Sequence, residues 1–188
     1  ARHLMPKHVA LVGADLFSPY HDLARGLKQV GALVTGIGPT SSAAALPAGL
    51  KPWLDAWEPL SNLLDPASIL DAARRAERPR APDRPETGDE NLVVPTAEAR
   101  AALGLPGLSV RTALLCRDKP AMKEALRAAG LPCAESTAAS SLAELEAFAE
   151  HVGYPLALKP RAGLGGMAQA DHEVSAANTR RSRAAWQP

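Results

Sequence analysis

The chain has 188 residues, enough for one large domain or two small ones. Its 21 basic and 20 acidic side chains leave a net charge of +1, and 4% of its residues are aromatic. That balance provides no field for gathering nucleic acid or an anionic membrane, and it leaves too few rings for a base-stacking platform. Of the hydrophobic residues, 38 are Ala and 26 are Leu, against 11 for Val and Ile together. Few β-branched residues and much Ala predict a helix-rich α/β fold with few, short strands. No apolar run reaches the ~18 residues of a membrane span, and the first residues lack a signal-peptide core. Ala1 is not an initiator, so either Met5 is the natural start or the chain is a fragment. Cys116 and Cys133 have neither CxxC spacing nor the number for a disulfide scaffold, which makes a reducing cytoplasm the expected compartment.

Residues 7–13 read as a short buried strand stopped by Gly13. Leu23, Leu27 and Val30 fall at helical spacing, with Gly31 as the stop, and residues 32–37 form a second apolar strand. A strand, one crossover helix and a strand predict a parallel, right-handed, Rossmann-like unit. Residues 40–64 read as irregular, with Trp53 and Trp57 packed together. Asp65-Pro66 is an N-cap followed by Pro at the first helical position, and Ile69, Leu70, Ala73 and Ala76 line one face of the helix. Between Arg74 and Glu90, arginines alternate with prolines and no period survives. This stretch is expected to be an exposed linker, poorly ordered and cut first by trypsin.

Residues 92–95 read as an extended piece and Thr96 as the cap of the next helix, broken at Gly104. Residues 110–116 form another apolar segment. Asp118 caps a helix with Pro120 in its first turn and Met122, Ala125, Leu126 and Ala129 on one face. Ser141 and Glu144 match a capping box ahead of a helix that runs to Gly153. Residues 155–158 then form a strand that opens into Lys159-Pro160-Arg161-Ala162-Gly163-Leu164-Gly165-Gly166. Beyond Met167 no pattern is visible. The expected division is a Rossmann-like domain over 1–94, with 74–90 as linker, a second region over 95–167, and an irregular tail over 168–188.

A lysine at a strand end beside a glycine-rich turn suits phosphate. Glycines let backbone N–H groups approach an anion, and the ammonium supplies a point charge. Alone, such a loop is as readily a plain turn. The conjunction is more specific. Asp118, Lys119, Met122, Lys123, Leu126, Ala129, Gly130, Leu131 and Pro132 are followed by the run from Gly153 to Pro160, then by Gly163, Gly165 and Gly166. This pattern resembles the ATP-grasp superfamily, in particular the branch of biotin carboxylases, carbamoyl-phosphate synthetases and related carboxylate–amine ligases. The resemblance implies a Rossmann-like domain ahead of the first part of an ATP-grasp fold. It implies ATP and Mg²⁺ as cofactors, with Lys119 and Lys159 on the nucleotide and Gly163, Gly165 and Gly166 folded over its phosphates. It also implies a small-molecule carboxylate or bicarbonate as substrate, activated as an acyl phosphate for attack by an amine. A homo-oligomer is compatible with it.

The pattern departs from that family in three places. The third strand of the leading domain falls in the Pro/Arg stretch 78–86. After Gly166 the loop continues as Met167-Ala168 rather than with further small residues and Gly. No segment beyond Gly166 is matched to the lobe that carries the family's acidic and Asn metal ligands, so no catalytic residue or metal ligand is assigned. A truncated or frame-shifted product, inactive alone, is the expectation; the alternative is a non-catalytic binding module with a vestigial nucleotide site. Elsewhere Gly13 and the pair Gly36 and Gly38 lack dinucleotide-fingerprint spacing. The histidines lack metal spacing, and Cys133 reads as a small core residue.

Overall fold

His8–Val12 forms β1, and all five of its residues are buried. A strand apolar on both faces belongs inside a parallel sheet. Ser18–Gln29 forms α1 and Leu33–Gly38 forms β2. The two strands pair in parallel from His8↔Leu33 to Val12↔Ile37, the result expected of one crossover helix. Ala56–Pro59 is β3, Pro66–Arg75 is α2 and Arg84–Thr87 is β4. All pairings are parallel, in the order β3-β2-β1-β4, so the chain reverses its direction of winding at β1, as in a Rossmann-like sheet. This computed structural model describes residues 6–76, 80–159 and 161–162, together with the backbone of 172–174.

The sheet is covered on both faces. Ala10, Val12 and Ile37 pack in one cluster with Ile69, Ala72 and Ala73 of α2 and Ala99 of the helix Val93–Ala102, α3. Leu11 and Val34 pack in another with Ala24 of α1, Leu46 and Leu50, flanked by Trp53 and Trp57. Alternate residues of β1 therefore serve opposite cores. Helix α2 starts as its sequence dictates: the Asp65 carboxylate accepts the amides of Ala67 and Ser68.

Val110–Arg117 forms α4, which contains the boundary between the two compact units of the chain, Ala113/Leu114. In the second unit, Lys119–Ala128 is α5, Leu142–Val152 is α6, Leu156–Leu158 is β5 and His172–Val174 is β6. Strand β6 runs antiparallel to β5, with Leu158 opposite His172. A strand thus lies inside the stretch expected to be an irregular tail. Ser141 caps α6 by accepting the Glu144 amide, as the box predicts. The Glu144 carboxylate, however, takes the amide and hydroxyl of Ser140, one residue earlier than a capping box requires.

The first unit extends past residue 94 because α3 belongs to its core, so the division falls later than the sequence suggests. Residues 92–95 are not extended: Val93 starts α3. Part of the segment read as irregular, 56–59, is the edge strand β3. The largest correction concerns 74–90. Instead of a linker, Arg84–Thr87 pairs with the central strand along Val9–Val12. Arg80 and Asp83 are tied to residues 6–8 by long-range contacts. The His8 ring donates from Nδ1 to the Arg80 carbonyl at 2.6 Å and lies 2.8 Å from the Thr35 hydroxyl through Nε2. The Asp83 carboxylate accepts the His8 amide and the Arg80 guanidinium, both at 2.6 Å. The His8 amide and then Arg80 hold Asp83 below the usual carboxylate range, against the cost of partial desolvation.

Pro85 cannot donate to a neighbouring strand, and a sheet edge accommodates it. Its carbonyl is taken by Arg100, which is 3% exposed and donates from Nε at 3.0 Å and Nη2 at 2.9 Å. The same guanidinium reaches the Leu108 carbonyl and the Glu86 carboxylate. Gly107, at φ +152°, leaves it room, since a Cβ there would lie 2.6 Å from Arg100 Cδ. Replacing Arg100 by Leu leaves these buried acceptors without their donor. We expect a loss of about 2–4 kcal/mol in urea unfolding, while Glu98→Ala on the same helix stays within about 0.5 kcal/mol.

Candidate functional site

The sequence-derived candidates lie in the second unit, and their placement begins with Asp118. Its extended backbone ends α4 and its side chain opens α5, with Oδ1 accepting the Ala121 amide at 3.1 Å. Pro120 occupies the first turn, where its missing N–H is no loss. Lys119 is then the first helical residue. A cation at a helix N-terminus opposes the dipole, at a cost of about 0.3–1 kcal/mol. Asp118 compensates locally. The first-turn N–H groups are already taken: Lys119 donates to the Arg161 carbonyl, Ala121 to Asp118 Oδ1 and Met122 to the Asp118 carbonyl, and Pro120 has none.

Strand β5 ends at Leu158, and Lys159 follows it, exposed. Two residues on, the chain returns to α5. The Arg161 carbonyl accepts the Lys119 amide at 3.3 Å. The Arg161 side chain donates from Nε at 2.9 Å and from Nη2 at 2.7 Å to Asp118 Oδ2. The segments carrying Lys119 and Lys159, 40 positions apart in the chain, are thus joined through residues 118, 119 and 161. Gly163, Gly165 and Gly166 lie outside the described residues.

Other charged groups nearby have structural work. Lys123 donates to the Ala134 carbonyl at 3.1 Å and Arg127 donates to the Ser136 hydroxyl at 2.6 Å, tying the segment after α5 back onto the helix. Cys133 is half-buried in that irregular segment, its thiol 3.8 Å from the Lys123 carbonyl, and it belongs to no strand. Among the described residues no group of three His, Cys, Asp or Glu side chains could hold a metal ion, and no helix is long and apolar enough to cross a membrane.

Arg161 had no assigned role in the sequence, where it reads only as part of a glycine loop. Its partner is 43 positions away, beyond any helical or strand spacing, so no local signal could reveal the pair. The Arg161 guanidinium, with the Ala121 amide, holds the Asp118 carboxyl below the usual carboxylate range, against a desolvation cost. A carboxylate depressed in the folded state stabilises it above its unfolded pKa, and that contribution is lost as pH falls through the folded value. In an NMR titration, Asp118 should therefore ionise at lower pH than an exposed aspartate. Arg161→Gln should move its midpoint back up; an unchanged midpoint would remove the ion pair from the account.

Residues 118–185 match the family described as carbamoyl-phosphate synthase L chain, ATP binding domain. The match continues past Gly166 through a stretch that the sequence motifs left unassigned. Over 74 residues the chain is 36% identical to alanine–anticapsin ligase of Bacillus subtilis (strain 168), which is 39% of this chain and 16% of that protein. The structure resembles an L-amino acid ligase from Bacillus licheniformis at 27% identity and a TM-score of 0.65, covering 85% of this chain and 38% of that one. It also resembles N5-carboxyaminoimidazole ribonucleotide synthetase in its ADP complex, at 17% identity and a TM-score of 0.75, covering 96% of this chain and 45% of that one; at this identity the likeness speaks for the fold. The chain thus spans less than half the length of the relatives it matches. With lysines at the start of α5 and the end of β5, a Rossmann-like unit ahead of them and these relatives on both sequence and structure, the chain resembles the ATP-grasp superfamily of carboxylate–amine ligases, and residues 118–185 carry the family match.

Proposed function

We propose that this chain forms the ATP-binding portion of a ligase that activates a carboxylate for attack by an amine. The observation that carries this reading is the junction of Lys119 with the segment after β5, inside the region that matches an ATP-binding family. In this reading Lys119 and Lys159 approach the nucleotide, and Gly163, Gly165 and Gly166 supply backbone N–H groups to its phosphates. The first unit is the domain that precedes the ATP-binding region.

The reaction divides into two displacements. A carboxylate oxygen attacks the γ-phosphorus, the bond from that phosphorus to the β,γ-bridging oxygen breaks, and ADP leaves with the electron pair. The amine nitrogen then attacks the acyl carbon, inorganic phosphate leaves, and the nitrogen loses a proton. The protein's part is positioning and charge stabilisation, because developing charge on phosphate oxygens is met by fixed ammonium and N–H donors. Mg²⁺, when bound with the nucleotide, supplies further neutralisation, but the described residues offer no cluster to hold it and no step is assigned to it. The names of the alanine–anticapsin and L-amino acid ligases favour an amino acid as the activated carboxylate over bicarbonate.

Titration calorimetry with MgATP tests the reading. Binding should be detectable, and Lys159→Ala should weaken it by about 1–3 kcal/mol, the scale of a charge-assisted contact. Lys123→Ala should cost less, because that ammonium is committed to the Ala134 carbonyl. Equal losses would indicate diffuse attraction rather than a site. No binding at all would favour a non-catalytic module.

A further inference from the structure

Asp118 performs two tasks with two oxygens. Oδ1 caps α5 through the Ala121 amide, and Oδ2 accepts both Nε and Nη2 of Arg161. The main chain adds a bond between the same segments, from the Lys119 amide to the Arg161 carbonyl. These contacts join the residues around Lys119 to the residue just beyond Lys159. An ion pair whose arginine side chain is 67% exposed contributes little to stability, about 0.2–1 kcal/mol. Its geometric effect is larger. A lysine ammonium rides on a flexible four-carbon stem, so the anchor points of two such stems decide whether both reach one polyphosphate.

We propose that Asp118 and Arg161 are positioning residues. The ion pair and the Lys119–Arg161 backbone bond form a latch that sets the spacing of Lys119 and Lys159, so that both serve the same nucleotide phosphates. This rests on the ATP-binding reading above, and in it neither Asp118 nor Arg161 needs to touch the nucleotide.

The sign of one substitution separates the latch from simple electrostatics. Removing a carboxylate beside a polyanion strengthens binding if charge alone matters. Asp118→Asn deletes that charge yet keeps an N-cap oxygen of equal quality. The latch requires the opposite outcome, weaker binding. With the full chain and MgATP in calorimetry, Asp118→Asn and Arg161→Gln should each raise Kd about threefold to tenfold. The double variant should be no worse than the more affected single variant, because both remove one interaction. Arg161→Lys, which keeps the charge, should retain most of the affinity. Hydrogen exchange gives a readout free of ligand: the Lys119 amide should exchange about threefold to tenfold faster in either variant.

Affinity for MgATP equal to or tighter than wild type in Asp118→Asn would overturn the latch while leaving the ATP reading intact. Additive losses, or an unaltered Lys119 amide, would do the same. Absence of MgATP binding by the wild-type chain would defeat the ATP reading and the latch together. Should Arg161→Gln fail to fold, the direction of the Asp118→Asn effect and its Lys119 exchange rate decide the matter.

Discussion

Complete burial of β1 constrains the whole first unit. A strand with no exposed residue must find hydrogen-bond partners on both edges and apolar cover on both faces. Strand β2 answers one edge and β4 the other, and the two hydrophobic clusters answer the faces. The satisfaction extends beyond the ladder: the Asp83 amide takes the His8 carbonyl at one end, and the Thr87 hydroxyl takes the Val12 carbonyl at the other. The glycines of β2 follow from the same crowding. A Cβ on Gly36 would stand 2.7 Å from the Trp57 ring, so the neighbouring strand presses its tryptophan where β2 has no side chain. The indole Nε1 of that tryptophan donates to the Thr40 carbonyl.

The second unit is built differently. Its helices begin at side-chain caps that are local in sequence, Asp118 for α5 and Ser141 for α6. What joins these pieces is nonlocal. Asp118 divides its oxygens between its own helix and an arginine 43 positions later, and the chain beyond β5 returns to the residue that begins α5. The segments that carry Lys119 and Lys159 are thereby joined through residues 118, 119 and 161. Lys123, by contrast, sits one turn along and is spent on the carbonyl of Ala134.

The sequence by itself determined the elements whose causes are local. The buried strands β1 and β2, the crossover helix between them, the Asp65, Asp118 and Ser141 caps, and the strand before Lys159 are all legible as apolar runs, periodic stripes and capping residues within a few positions of one another. The motif from Asp118 to Gly166 likewise pointed to the superfamily. Only the tertiary structure decided the rest. Arg84–Thr87 looks like a linker because arginine and proline have no preference for strands, and it becomes one because β1 needs a second partner and Arg100 supplies the Pro85 carbonyl with donors. The helix at Val93 is masked by β-branched residues and a proline in its first turn, and burial against α2 prevails over that weak propensity. The Asp118–Arg161 bond leaves no mark in any local window, since an ion pair forms wherever folding brings the charges within reach, and separation along the chain carries no information about that distance.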